Sequence, residues 1–214
     1  MPVDAELAAV LRTCAVRRPW AEQDEGPYHR DEPPDRRDVT EDRIGVPLQL
    51  GIRLADAGGV PAHDAIVEIW HCDALGRYSG FPPPDADAAV SAKTAPRAAY
   101  EPERIFLRGC QRTDGAGMVE FRTIYPGWYP GRTVHIHVMV RVADASFTSQ
   151  LYFPESVTDA VFAQLPYAER PGRDTTNADD GIFPTGGEPA VLDVASTPDA
   201  QRAALCLVLP AVPA

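Results

Sequence analysis

The 214-residue chain carries 20 Lys and Arg against 31 Asp and Glu, a net charge of −11, and 44% of its residues are hydrophobic. That acid excess argues against nucleic acid or an anionic membrane as partners, so an anionic substrate would have to be drawn in by local positive groups. The length supports one sizeable core, and no apolar run approaches a membrane span.

A single domain over 1–214 is expected, with 1–42 as an N-terminal helix and extended arm and 43–214 as a β-sandwich core. The abundance of Pro (22) and Gly (16) favours short strands and structured loops. Asp4 to Val16 reads as a short helix capped by Asp4, with Leu7, Val10, Leu11 and Cys14 on one face. Its role would be to pack against the body or a partner subunit. Arg17-Arg18 is followed by Pro19-Trp20 and acidic residues, so no apolar core of a signal peptide is seen, and a cytoplasmic location is expected. The four cysteines, Cys14, Cys72, Cys110 and Cys206, are widely spaced and lack C-x-x-C, so free thiols are expected.

Residues 17–42 are polar and Pro-rich, with a turn and an aromatic at Gly26-Pro27-Tyr28. Strands are predicted at 46–54 and 65–71. The second, A-I-V-E-I-W-H, is apolar nearly throughout and so reads as central. It runs into a loop bounded by glycines, C-D-A-L-G-R-Y-S-G, and then into a Pro/Ala/Asp-rich surface excursion over 81–103. Further strands are predicted at 105–108, 117–124, 133–140, 147–153 and 204–209, a short helix at 156–165, and a polar loop over 166–190. Many short strands, Gly/Pro turns and little helix predict an all-β sandwich of short mixed strands with long loops and one or two short helices.

The stretch from Thr123 to Val140 carries the chemistry. Thr133, Val134, Ile136, Val138 and Val140 are β-branched, the strongest strand signal in the chain. In a strand, His135 and His137 share a face, while the apolar residues between them imply that both faces are buried. Two buried imidazoles need partners: backbone carbonyls, as in core histidines, or one metal ion for both. The turn formers in P-G-W-Y-P-G-R place Tyr129 and Arg132 at the same end of that strand. A phenolate there is a hard oxygen donor, better suited to Fe(III) than to Zn(II).

The loop W-H-C-D-A-x-G-x-Y-S-G (Trp70 to Gly80), taken with Y-x-x-R-x-x-H-I-H (Tyr129 to His137), resembles the intradiol ring-cleavage dioxygenases. These include protocatechuate 3,4-dioxygenase and catechol 1,2-dioxygenase. The similarity also takes in Glu25 to Tyr28, Asp38 to Arg43, Phe106 to Gly109 and Gln150 to Phe153, in the family's order. The resemblance implies a non-haem Fe(III) held by Tyr78, Tyr129, His135 and His137, with water or hydroxide completing the sphere. It implies a catechol-type aromatic diol and O2 as partners, and cleavage between the two hydroxylated carbons to a cis,cis-muconate-type diacid. Both oxygen atoms would enter the product. Tyr129 matches the tyrosinate that leaves when substrate binds, Arg132 the arginine that stabilises developing charge, and Gln150 a glutamine beside it. Tyr28 and Arg77 match candidate substrate-binding positions, and a homodimer is expected from the family.

This sequence also departs from the family. Only two residues separate Tyr129 from Arg132, where the protocatechuate and catechol enzymes carry a longer loop, which implies a more open mouth. Thr133-Val134 stands where those enzymes have Pro-Ala, and residues 1–42 are too short for the large helical linker of catechol 1,2-dioxygenases. Two rival readings stay open at this point. One is a zinc site made by His71, His135 and His137. The other is a non-catalytic β-sandwich binding module.

Overall fold

In a computed structural model that describes residues 5–13, 21–81 and 104–210, the chain forms two four-stranded sheets packed face to face. The strands are β1 (Pro47–Ala55), β2 (Ile66–Trp70), β3 (Arg108–Arg112), β4 (Met118–Ile124), β5 (His135–Val142), β6 (Ala145–Tyr152), β7 (Asp193–Ser196) and β8 (Gln201–Val208). Two short helices flank them, α1 (Ala5–Thr13) and α2 (Glu155–Phe162). One sheet has the order β4-β1-β8-β7 and the other β3-β2-β5-β6. All pairings are antiparallel except β1 with β8, so the sandwich is mostly but not wholly antiparallel.

Period-2 alternation sorts the residues of β5 between two different interiors. Ile136, Val138 and Val140 join Leu48, Leu50 and Ile52 of β1 and Val67 and Ile69 of β2 in the core between the sheets. His135, His137 and Met139 point the other way. Both faces of β5 are nevertheless buried, because residues 21–45 and the loop after β2 cover the outer one. The covering arm is tied down at several points. The Gln23 N–H donates to the Thr148 carbonyl, and the Gln23 side-chain amide donates to the carbonyls of Ile182 and Thr185. Single bridges join Asp35 to Cys110 and Asp38 to Arg122. The arm is therefore the lid of a second, smaller interior and not a loose tail.

Several expectations need correction. The strand predicted at 105–108 begins only at Arg108, because Leu107 takes a positive φ of 56° and the Ile105 carbonyl accepts from the Arg36 guanidinium. The edge strand β7 went unpredicted, since D-V-A-S is short and mostly exposed. In α1, Leu7 and Leu11 are buried but Val10 faces solvent at 50% exposure. Cys72 and Cys110 are free thiols as expected, whereas Cys206 is disulfide-bonded. Cys14 lies outside the described residues, as does the 82–103 portion of the predicted excursion. No helix among the described residues is long and apolar enough to cross a membrane.

Candidate metal centre

The outer face of the β3-β2-β5-β6 sheet gathers the polar residues singled out from the sequence. Register does much of this work. Trp70 on β2 pairs with His137 on β5, while Gln150 and Tyr152 on β6 pair with His137 and His135. The Trp70 indole stacks on the His137 ring with centroids 4.9 Å apart and planes 3° off parallel, which fixes that imidazole's plane. The arm closes over it at Gly26 (φ +73°), where an added Cβ would come within 3.2 Å of His137 Cε1. A side chain there would press on the ring in a conformation that L-residues rarely adopt.

Tyr78 arrives from the loop after β2. The Asp73 carboxylate accepts the backbone N–H groups of Leu75 and Arg77, both at 2.9 Å, and the Asp73 N–H donates to the Arg77 carbonyl. The Gly127 N–H bonds to the Asp73 carbonyl, joining this turn to the segment that leads to Tyr129. Downstream, the buried Arg108 guanidinium donates to the Ser79 hydroxyl at 2.7 Å and to the Ser79 carbonyl. Tyr129 comes from the tight turn before β5, closed by a bridge between Tyr129 and Arg132.

The four expected donors converge although they lie up to 59 residues apart (137 − 78). Tyr129 Oη lies 3.3 Å from His135 Nε2, which is 3.1 Å from His137 Nε2. The Tyr78 ring centroid is 5.8 Å from that of Tyr129 and 6.1 Å from that of His137. His135 Nδ1 donates to the Thr133 carbonyl at 2.6 Å, which leaves the Nε2 lone pair facing the cluster. The Tyr78 hydroxyl and His137 Nδ1 are buried without a hydrogen bond among the described residues.

Burial dominates the electrostatics. It raises both phenols, Tyr78 well above the ordinary tyrosine range, and the Tyr129 neighbour raises Tyr78 further. For Tyr129 the Arg132 charge works against that rise. Burial lowers His135 to about 3, with Arg132 contributing, and drives His137 well below the ordinary histidine range. Both imidazoles are thus held neutral, the form in which an imidazole nitrogen can bind a cation. Arg132 Nε donates to Asp180 Oδ2 at 2.8 Å and Nη2 to Gln150 Oε1 at 2.5 Å. The Tyr129 and Asp180 neighbours outweigh the burial of Arg132, so its charge is secure.

His71 is excluded from the cluster. Its Nδ1 pairs with the Cys72 carbonyl at 2.8 Å and its Nε2 with the Thr123 hydroxyl at 2.7 Å, so both nitrogens are spent. The three-histidine zinc alternative loses its third ligand. Among the described residues no group of three or more His, Cys, Asp or Glu could hold a metal ion. Tyr28 stacks on Tyr78 with centroids 4.2 Å apart and planes 14° off parallel, and meets the edge of Tyr129 at 6.1 Å. Arg77 is exposed and its side chain makes no hydrogen bond to these residues.

A family model described as "Dioxygenase" matches residues 22–170, well over half of the chain and inclusive of every candidate residue of the cluster named so far except Asp180. The chain belongs to the intradiol ring-cleavage dioxygenase family. It is 30% identical over 139 residues to the protocatechuate 3,4-dioxygenase beta chain of Burkholderia cepacia, covering 59% of this chain and 54% of that protein. It is 30% identical over 92 residues to catechol 1,2-dioxygenase 1 of Acinetobacter lwoffii, covering 43% of this chain and 25% of that one. The alignment thus spans about half the length of the first of these relatives and less of the second. An intradiol ring-cleavage dioxygenase structure from Tetranychus urticae superposes with a TM-score of 0.78 at 31% identity, covering 91% of this chain and 94% of that one.

Intradiol dioxygenases typically use a non-haem ferric ion, and the donors here fit one. Two phenols and two neutral imidazoles, with the Tyr78 hydroxyl buried and without a hydrogen bond among the described residues, are hard oxygen and borderline nitrogen donors of the kind such an ion takes. Asp180, which accepts from Arg132, is a residue beside this cluster that sequence reasoning missed. It lies 48 positions beyond Arg132 in a stretch that reads only as polar loop.

Proposed function

We propose that this chain is a ferric intradiol dioxygenase that cleaves a catechol-type aromatic diol between its two hydroxylated carbons, adding both atoms of O2. Tyr78, Tyr129, His135 and His137 would hold the iron. When bound, a ferric ion would draw in the diol as a chelated dianion and make its ring reactive toward O2. The observation that carries this reading is the convergence of two phenols and two imidazoles from separate segments onto one buried point.

The chain's own residues have distinct tasks in this reading. Tyr78 is 2% exposed beneath Tyr28 and is the permanent oxygen donor. Tyr129 is only partly buried and sits on a turn, so it is the donor free to leave. Released from the iron as a tyrosinate, Tyr129 Oη would take one proton from the incoming diol, and its buried surroundings favour the protonated form that results. Arg132, held by Asp180 and Gln150, presents fixed positive charge to the anion that develops on the substrate. Tyr28 supplies an aromatic wall, and the arm around Gly26 keeps water from the far side of His137. The same reading carries a homodimer, and a monomer mass by size exclusion with light scattering would remove that part alone.

The test is the visible absorption spectrum of the iron-loaded protein, before and after anaerobic addition of catechol. A tyrosinate-to-iron charge-transfer band that shifts on addition, followed by ring cleavage when O2 is admitted, is the expected result. A colourless protein after ferric loading would sink it.

A further inference from the structure

Arg132 is gripped from behind by the Asp180 carboxylate. The Asp180 side chain is completely buried. Its Oδ2 accepts both the Arg132 Nε–H and the Thr133 N–H, each at 2.8 Å. Its Oδ1 accepts the N–H groups of Ile182 and Phe183, also at 2.8 Å. Four donors on one carboxylate leave it little freedom to turn.

The other side of the guanidinium is fixed as well. Gln150 Oε1 accepts from Arg132 Nη2 and from the Tyr152 hydroxyl at 3.2 Å, while Gln150 Nε2 donates to the Asp24 carbonyl at 3.1 Å. The single Tyr152 O–H proton is shared with Gln23 Oε1, which lies 3.0 Å from the same hydroxyl. The fork of Arg132 is therefore clamped between a loop residue and a strand residue, with Nη1 left without either bond. Burial opposes the Asp180 charge, but Arg132 and the Thr133 N–H outweigh it and keep the carboxyl below its usual range.

We propose that Asp180 is a positioning residue for ring cleavage: it holds the Arg132 guanidinium in the orientation that meets charge developing on the substrate. The inference rests on the ring-cleavage reading above. Its physical basis is preorganisation, since a charge that must first swing into place stabilises a transition state less than one already aimed.

Asp180→Asn separates this role from a merely structural one. The amide oxygen still accepts from Ile182 and Phe183, so the loop keeps its turn, but the NH2 group now faces the donors of Thr133 and Arg132. The expected result is a kcat roughly 10- to 100-fold lower, with KM within about threefold and the catechol-shifted band unchanged. In an Arg132→Ala background the same substitution should lower kcat no further, because its effect runs through Arg132. Equal fold-losses in both backgrounds, or a lost band, would assign Asp180 to general stability and overturn the proposal, as would an unchanged kcat in the single variant. Should Asp180→Asn fail to fold, Asp180→Glu keeps the charge but displaces it. Positioning then expects a kcat loss with the band intact, and wild-type kcat overturns it. A wild-type protein that holds iron yet cleaves no diol fails the ring-cleavage reading and this inference together, whereas failure in the variants alone leaves ring cleavage standing.

Discussion

Tyr78 and Tyr129 are chemically identical phenols that their surroundings make unequal. Tyr78 is sealed under Tyr28, while Tyr129 is partly open and sits on a turn. With Tyr78 as the proposed donor that stays on the iron, replacing it with Phe should lower the iron retained after dialysis by more than about tenfold, as measured by metal analysis. Replacing Tyr129 with Phe should leave most of the iron in place but remove the group that takes the diol proton. Turnover should then fall by about 10² to 10⁴, and a Tyr129→Phe variant with wild-type kcat would dismiss that proton role. At this scale the part of the cluster around β5 was legible because its pattern is local: His135 and His137 alternate on a strand, and Tyr129 and Arg132 sit one turn upstream. Tyr78 and Gln150, distant in sequence, were reached only through the resemblance to the family. Asp180 was not legible, because a carboxylate in a polar loop acquires meaning only when folding brings it to Arg132.

The loop from Asp73 to Gly80 shows how an element, and not a single side chain, delivers a ligand. Its turn depends on Gly76, which has φ +78° and lies where an added Cβ would overlap the Trp128 carbonyl and the Arg170 guanidinium. Arg170 itself covers the Trp128 ring at 4.2 Å and donates to the Trp128 carbonyl, so neither neighbour can move aside freely. Gly76→Ala should therefore cost more than the roughly 1–2 kcal/mol of left-handed strain alone. Thermal unfolding would show a lower Tm. Because this turn sets both Tyr78 and the approach to Tyr129, the charge-transfer band should weaken too, whereas a normal band at lower Tm would limit the effect to stability. The glycine-bounded loop was readable as a loop, and β2 and β5 as strands, since their apolar runs are long. The start of β3 was not, because Leu107 departs from the strand conformation for reasons of tertiary contact. Nor was β7, whose pairing is supplied by β8 and not by its own residues.

Stability of the whole molecule is coupled to pH through the buried histidine outside the cluster. His71 is fully buried between the Cys72 carbonyl and the Thr123 hydroxyl, and burial lowers its pKa to about 4 from an ordinary 6.5. Above pH 6.5 neither the folded nor the unfolded chain binds a proton there, so this site leaves stability unchanged. Between 6.5 and about 4 only the unfolded chain binds one, and stability falls as the pH falls. Each pH unit in that window removes about 1.4 kcal/mol, about 3 kcal/mol in all from this single group. Below about 4 both states are protonated and the loss stops growing. Urea unfolding of the metal-free protein at pH 7, 5.5 and 4.5 measures the slope, to which His135 and His137 also contribute. His71→Gln isolates the share of His71: it should be less stable at pH 7, since the two bonds are disturbed, yet lose less on acidification than the wild type. Parallel curves for the two proteins would mean that His71 is protonated in the folded chain, and that the Thr123 hydroxyl accepts a hydrogen bond from it.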